Sequence, residues 1–394
     1  MIEIMDTTLR DGEQTSGVSF SQQEKLGIAK FLLSELGVDR IEIASARVSE
    51  GELQTVKKIT EWADKAGFLP KIEVLGFVDG ETSLNWIESV GGKVINLLTK
   101  GSLRHVTEQL RKTPQAHIDD IKRAIDLAHK KNISVNLYLE DWSNGMKNSP
   151  SYVFDMVDAL CGEGVNRFML PDTLGILNPL LTADFCTQMV KRYPNLKFDF
   201  HAHNDYDLAV SNVFAAVNSG ISGIHTTING LGERAGNAPL TSVLAVLHDQ
   251  LGIKTKINEQ KMYDGSKLVE TYSGVRIPAN KPIIGDNVFT QVAGVHADGD
   301  QKNNLYYLTD IFDQELMIED FIDNDYGDTC QVIQDITATY DTAFIIYADA
   351  EMDSDFDIGW RTGYRLTGWH ICALPGFDHT FENDNKQDII IFGE

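Results

Sequence analysis

The feature that most constrains the fold of this chain is an eightfold alternation of short apolar segments with amphipathic segments over its first 230 residues. Strands that alternate with helical segments indicate βαβ units, and eight such units in roughly 250 residues are what a (β/α)8 barrel requires. The sequence therefore predicts an α/β fold, a TIM barrel. The predicted strands are 2–6, 40–45, 71–77, 94–99, 134–140, 167–173, 197–203 and 223–230.

A doubly wound open sheet is the alternative α/β fold. That fold more often has fewer strands, and it carries a glycine-rich nucleotide fingerprint after its first strand. The nearest match, 229-NGLGERAGN-237, lacks the GxGxxG spacing and follows the last predicted strand. The barrel is therefore the favoured fold.

The segment 21-SQQEKLGIAKFLLSELG-37 shows a helical pattern with clear ends. Ser21 and Glu24 have the spacing of a capping box, apolar side chains recur at helical spacing, and Gly37 is placed to end the helix. Further helices are predicted over 116–132, 240–252 and 258–273.

Charge is distributed unevenly along the chain, whose formal net charge is −24. From Thr309 onward there are 20 Asp and Glu residues against 3 Lys and Arg, so −17 of that charge lies in this last segment. We therefore expect a catalytic barrel at 1–250, a short helical linker subdomain at 251–308 and a small acidic α/β module at 309–394. The acidic balance argues against nucleic acid or an anionic membrane as a partner, because phosphate groups bind basic surfaces.

Nothing in the sequence predicts export or membrane insertion. The opening residues MIEIMDTTLRDG lack the basic region and apolar core of a secretory signal. No uncharged apolar run approaches the roughly 18 residues that a bilayer span needs. The 4 cysteines form no CxxC pair, which argues against a disulfide framework or a thiolate zinc site. A cytoplasmic protein is expected.

Polar residues occupy the predicted carboxyl ends of several strands, where a barrel places its active site. His201 and His203 are two positions apart on one strand, so both rings project from the same face. With Asp11 they would form a set of two imidazoles and one carboxylate that suits Mn²⁺, Mg²⁺, Zn²⁺ or Co²⁺ and leaves positions open for substrate. The alternative is that these histidines are separately hydrogen-bonded within the strand.

An ordered set of motifs resembles one family of enzymes, the metal-dependent synthases that condense acetyl-CoA with a 2-oxo acid. The family includes isopropylmalate, citramalate and homocitrate synthases, and hydroxymethylglutaryl-CoA lyase is related to it. The likeness covers residues 1–307 and implies Asp11, His201 and His203 as metal ligands, with Asn237 as a fourth. Its motifs are 6-DTTLRDGEQT-15, 140-EDWSNG-145, 171-PDTLG-175, 201-HAHND-205, 229-NGLGERAGN-237 and 290-TQVAGVHADGD-300.

The resemblance also implies a reaction. A base would remove a proton from the acetyl methyl group of acetyl-CoA, the enolate would attack the carbonyl of a 2-oxo acid polarised by the metal, and water would hydrolyse the thioester. Arg10 would hold the oxygen that gains negative charge, and Thr173 would bind the substrate carboxylate. Glu140 and His296 are the candidates for proton transfer, although structural ion pairs are alternative roles for Arg10 and Glu140. The implied catalytic residues are Arg10, Glu140, His296, Asp298 and Tyr306.

Three bulky side chains indicate which 2-oxo acid is accepted. Leu75, Leu98 and Tyr138 are predicted to point inward near the metal, which leaves room for little beyond a methyl group. The stretches 74-VLGFVDG-80 and 96-NLLTKGS-102 resemble those of citramalate synthases. Pyruvate is therefore the expected acceptor, and 2-oxoisovalerate, the acceptor of isopropylmalate synthases, is the alternative.

The chain departs from the family pattern after Leu308. The basic helical segment that follows this point in the family is replaced by DIFDQELMIEDFIDNDYGDT. A homodimer is expected from the resemblance, although the altered tail removes part of the segment that usually supports it. An alternative function is a weakly active barrel that binds metal and oxo acid and uses its tail for interaction. A lyase is a further alternative, but it should lack the EDWSNG motif.

Overall fold

The structure of the protein is a computed structural model that describes residues 2–288 in full and the backbone of 380–382 and 388–390. Residues up to Val288 belong to one compact unit, and the two short C-terminal segments belong to a second, in which they pair as antiparallel strands. The rest of the predicted acidic module, together with His296, Asp298 and Tyr306, lies outside the described residues. The division of the first unit near residue 250 stays a prediction.

The strands of the first unit form one closed sheet. They are β1 (Glu3–Asp6), β2 (Arg40–Ser45), β3 (Ile72–Phe77), β4 (Val94–Lys100), β5 (Ser134–Glu140), β6 (Arg167–Asp172), β7 (Phe198–Ala202) and β8 (Gly223–Thr226). All pairings are parallel and follow chain order, and the barrel closes because β1 pairs with β8 as well as with β2. The predicted (β/α)8 barrel is confirmed.

Helical segments follow every strand of the barrel. They include α1 (Gln22–Lys30), α2 (Glu50–Ala66), α3 (Thr82–Ser89), α4 (Pro114–Lys130), α5 (Trp142–Asn148), α6 (Pro150–Leu160), α7 (Pro179–Arg192), α8 (Ala209–Asn218), α9 (Leu240–Ala245) and α10 (Met262–Ser273). Among the described residues, no helix combines the length and apolar character needed to cross a bilayer.

The ends of the first helix follow from its sequence. The Ser21 hydroxyl accepts a hydrogen bond from the backbone N–H of Glu24, and the Glu24 carboxylate accepts one from the N–H of Ser21. The helix widens to π-helical turns over Phe31–Leu36 and ends at Gly37, whose φ of 81° is accessible to glycine without strain.

Strand β8 is shorter than the predicted 223–230. It ends at Thr226, and Ile228–Gly230 forms a single helical turn. Asn229 has a φ of 60°, a left-handed conformation that asparagine tolerates but that an extended strand excludes. The β-branched residues Thr227 and Ile228 continue past the end of β8, so the sequence pattern did not mark where the strand ends.

The amino-terminal end of the barrel interior holds a buried cluster of charges. The Asp199 carboxylate accepts hydrogen bonds from Arg40 at 2.6 Å and from Arg167 at 2.7 Å, and Arg40 also donates to Glu73 at 2.9 Å. Burial opposes ionisation of Asp199, but the two guanidinium groups and His225 outweigh it and hold the pKa of Asp199 well below its usual value. These charged side chains link β2, β3, β6 and β7 at the amino-terminal end of the barrel.

Replacing Asp199 with Ala is expected to lower the free energy of unfolding by about 3–5 kcal/mol, because two buried guanidinium groups lose their counterion. Urea unfolding followed by circular dichroism measures this. The matched control is Asp126→Ala, which breaks an exposed ion pair with Lys130 and should cost less than about 1 kcal/mol. Equal losses in the two variants would show that the buried cluster does not stabilise the barrel.

Candidate active site

Three predicted ligand side chains meet at the carboxyl end of the barrel. Oδ2 of Asp11 lies 3.1 Å from Nε2 of His201 and 3.9 Å from Nε2 of His203, and the two Nε2 atoms are 3.3 Å apart. All three residues are buried. One carboxylate oxygen and two ring nitrogens within 4.8 Å of one another form a group that could hold a metal ion.

Local backbone structure explains why these side chains converge. After β1 the chain turns sharply, and the carbonyl of Thr7 accepts hydrogen bonds from the N–H groups of Arg10, Asp11 and Gly12, which directs Asp11 back over the barrel. His201 lies on β7, and His203 forms an isolated antiparallel bridge with Asn237 just beyond the strand. Asn237, which the resemblance implies as a fourth ligand, therefore lies beside His203.

The protonation states of the group suit a cation. Burial raises the pKa of Asp11, but Arg10 and the two histidines outweigh it and hold that pKa well below its usual value. Burial, followed by the charge of His201, lowers the pKa of His203 to about 3. An ionised carboxylate and a neutral imidazole are the forms that bind metals.

Unsatisfied polar atoms support the same interpretation. Oδ1 of Asp11 is buried and has no hydrogen-bond partner among the described residues. Asn237 donates its amide N–H to the carbonyl of Leu231 at 3.0 Å, which leaves its buried Oδ1 as an acceptor without a partner there. Buried acceptors without donors are costly, and a divalent cation would satisfy them. The residues present therefore fit a metal ion.

Arg10 lies next to this group and is held from two sides. Its Nε donates to Glu42 at 2.5 Å, its Nη2 donates to the hydroxyl of Tyr138 at 3.3 Å, and its Nη1 is 3.4 Å from Asp11. Both Glu42 and Tyr138 are buried. A guanidinium fixed in this way is a preorganised donor toward any oxygen bound beside Asp11.

The three predicted specificity residues form one apolar surface. Leu75, Leu98 and Tyr138 pack together with Met5 and Met169 in the barrel interior. Tyr138 contacts the ring of His201 edge to face, with the ring centroids 6.2 Å apart. The surface therefore adjoins His201, one of the candidate metal ligands.

Residues 1–269 match the protein family described as HMGL-like. The chain belongs to the HMGL-like family. This HMGL-like protein is 37% identical over 308 residues to (R)-citramalate synthase of Methanocaldococcus jannaschii, and the match covers 78% of this chain and 60% of that protein. It is 33% identical over 307 residues to 2-isopropylmalate synthase of Sulfurisphaera tokodaii, and this match covers 78% of this chain and 77% of that protein. The resemblance inferred from the motifs is confirmed.

Solved structures of lower identity share the fold of this HMGL-like protein. A crystal structure of HMG-CoA lyase from Bacillus subtilis superposes with a TM-score of 0.57 at 21% identity and covers 71% of this chain and 96% of that chain. This likeness supports the barrel fold.

Two further predicted site residues of the HMGL-like protein, Glu140 and Thr173, lie at the carboxyl ends of β5 and β6. Glu140, the last residue of β5, forms an ion pair with Lys100, the last residue of β4. The Thr173 hydroxyl accepts a hydrogen bond from the backbone N–H of Asp141 at 2.9 Å, which leaves its own proton available for a ligand.

Sequence reasoning missed Glu42 and His225, although both belong to this site. Glu42 anchors Arg10, and Nδ1 of His225 lies 3.1 Å from the Tyr138 hydroxyl. Asp199 accepts from Nε2 of His225 at 3.2 Å, so the site connects with the charge cluster below it. The available signal for Glu42 was a carboxylate between two isoleucines in the predicted strand 40-RIEIAS-45.

Proposed function

We propose that this protein condenses acetyl-CoA with a 2-oxo acid, most favourably pyruvate to give citramalate, and hydrolyses the thioester. The observation that carries the proposal is the buried group of Asp11, His201 and His203, with Arg10 held at its edge. The names of the curated relatives, a citramalate synthase and an isopropylmalate synthase, support the same reaction class.

The proposed metal ligands are Asp11, His201, His203 and Asn237. A bound divalent cation, Mn²⁺, Mg²⁺, Zn²⁺ or Co²⁺, would supply Lewis-acid polarisation of the acceptor carbonyl. Arg10 would donate hydrogen bonds to the carbonyl oxygen as it gains charge, and its anchors Glu42 and Tyr138 keep it oriented without reorganisation. The Thr173 hydroxyl would donate to the acceptor carboxylate.

The residues proposed to transfer protons lie at the carboxyl end of the barrel or follow it in the sequence. Glu140 would accept a proton from the acetyl methyl group, since its carboxylate lies at the end of β5 and is only partly exposed. His296, Asp298 and Tyr306 are further proposed participants that come from the resemblance alone, because they lie outside the described residues. A homodimer and a cytoplasmic location stay predictions.

The apolar surface supports pyruvate as the acceptor. Leu75, Leu98 and Tyr138 are bulky, and they pack together beside the ring of His201, where a small acceptor side chain is favoured. A methylene in such a pocket changes discrimination by about 1–3 kcal/mol, or about 10–200-fold. We expect kcat/KM for pyruvate to exceed that for 2-oxoisovalerate by at least about 10-fold.

Thiol release from acetyl-CoA, measured with each oxo acid at saturating Mn²⁺, tests this preference. Leu98→Ala should shift the ratio toward 2-oxoisovalerate by about 10-fold. Leu97→Ala is the matched control, because the neighbouring leucine points to the opposite face of β4 and should leave the ratio unchanged. Preference of the unaltered protein for 2-oxoisovalerate would identify an isopropylmalate synthase. Binding of metal and pyruvate without thiol release would instead support the weakly active barrel.

A further inference from the structure

On the side that faces the barrel interior, β4 and β5 carry three successive cross-strand pairs of residues. Asn96 pairs with Asn136, Leu98 with Tyr138, and Lys100 with Glu140 in the register of these parallel strands. The first pair is hydrogen-bonded side chain to side chain, the second belongs to the apolar surface, and the third is an ion pair. Lys100 and Glu140 therefore stand one step above the proposed acceptor pocket, on the side toward the barrel mouth.

The backbone of Lys100 is fixed by two buried side chains from the surrounding helices. Nε2 of His117 on α4 accepts its N–H at 3.1 Å, and the hydroxyl of Tyr152 on α6 donates to its carbonyl at 3.0 Å. Burial lowers the pKa of His117 to about 4, so the accepting nitrogen stays unprotonated at neutral pH. The point at which β4 ends is thus held by contacts that do not involve substrate.

The next residue locks β4 to β5. Gly101 donates its N–H to the carbonyl of Glu140 at 2.6 Å, and a Cβ at this position would lie 2.4 Å from the carbonyl oxygen of Leu139. Only glycine allows the two strand ends to approach so closely. The Cα atoms of Lys100 and Glu140 are consequently held in fixed register, and only their side chains remain adjustable.

The ion pair is the only restraint that the described residues place on the Glu140 carboxylate. The ammonium group of Lys100 donates to its Oε2, and no other side chain among the described residues bonds to it. The two side chains have relative exposures of 13% and 24%, so the pair is shielded from water on most sides. A charge-assisted hydrogen bond in this setting orients a carboxylate more strongly than an exposed pair does.

We propose that Lys100 is a positioning residue that fixes the Glu140 carboxylate for removal of a proton from the acetyl methyl group. The inference rests on the proposed function. In this step the C–H bond of the methyl group breaks, its proton passes to a Glu140 oxygen, and its electron pair becomes the enolate. Lys100 keeps its own proton throughout and acts only through Glu140.

The test compares Lys100→Met, Glu140→Gln and the double variant in the full chain with Mn²⁺. Loss of a hydrogen bond to a charged group corresponds to a change in rate of about 10–100-fold. Lys100→Met should therefore lower kcat for thiol release by that factor, while KM for pyruvate changes by less than about twofold. The kinetic isotope effect with methyl-deuterated acetyl-CoA should rise, because proton removal becomes slower. In the Glu140→Gln background, Lys100→Met should change kcat by less than about threefold.

Two further variants complete the experiment. Lys100→Arg should recover part of the lost rate because it restores a cation. Lys131→Met removes a lysine that pairs with Glu88, outside the proposed site, and should leave kcat unchanged. Full activity of Lys100→Met, an unchanged isotope effect, a loss that appears in KM for pyruvate, or additive losses in the double variant would each overturn the inference. Absence of thiol release by the unaltered protein would overturn the proposed function and the inference together.

Discussion

Asp11→Asn is expected to abolish retention of Mn²⁺ and to lower the rate of thiol release by at least about 1000-fold, corresponding to several kcal/mol of lost transition-state stabilisation. The substitution keeps the side-chain size but removes the single negative charge that both imidazoles face, at 3.1 Å and 3.9 Å. Equilibrium dialysis against Mn²⁺ measures binding, and a thiol reagent measures turnover.

The control for this variant is Asp79→Asn. Asp79 lies in the loop that follows β3, where its carboxylate contacts Arg47 and Ser83 and none of the proposed ligands. The Asp79→Asn variant should bind Mn²⁺ and release thiol at the rate of the unaltered protein. If Asp11→Asn also binds Mn²⁺ normally and turns over, the proposed metal centre is wrong.

Arg10→Gln is expected to lower kcat by about 100- to 1000-fold while KM for pyruvate changes much less, since a donor aimed at developing charge acts mainly in the transition state. Arg10→Lys should recover little of this loss. A lysine has a single ammonium group, and it cannot reproduce the separate bonds that Nε and Nη2 make to Glu42 and Tyr138. Steady-state kinetics at saturating Mn²⁺ measures both parameters.

Retention of Mn²⁺ by Arg10→Gln is the companion measurement. Arg10 contributes no ligand atom, so dialysis should find the ion bound and the defect confined to turnover. Nearly full activity of Arg10→Lys would show that a point charge suffices and that the two anchors are only structural. Loss of turnover solely through loss of the ion would remove the proposed catalytic role.

Most of the barrel could be predicted because its strands are short β-branched and apolar runs separated by capped helices. Each predicted strand agrees with the observed one within one residue at either end, apart from β8. The predicted strand was too long because the β-branched residues of 224-IHTTING-230 continue past Thr226 into a turn in which Asn229 is left-handed. Periodicity reports which residues are apolar, and it does not report a single left-handed backbone conformation.

The convergence of Asp11, His201 and His203 was predictable for a different reason. A closed parallel barrel brings all carboxyl strand ends to one face, so polar residues at those ends must meet there. Contacts across the interior are harder to infer. Tyr138 and His225 are 87 positions apart and touch only because of the barrel's closure and register, and the anchoring of Arg10 by Glu42 depends on the same geometry.

The measurement that tests the account most directly is product analysis with ¹³C-labelled acetyl-CoA and pyruvate, followed by mass spectrometry. The unaltered protein with Mn²⁺ should form citramalate that carries the labelled acetyl carbons, and chelator-treated protein should form none until Mn²⁺ is restored. Free acetate as the only labelled product, or citramalate formed equally well without the ion, would contradict the proposed metal-dependent condensation.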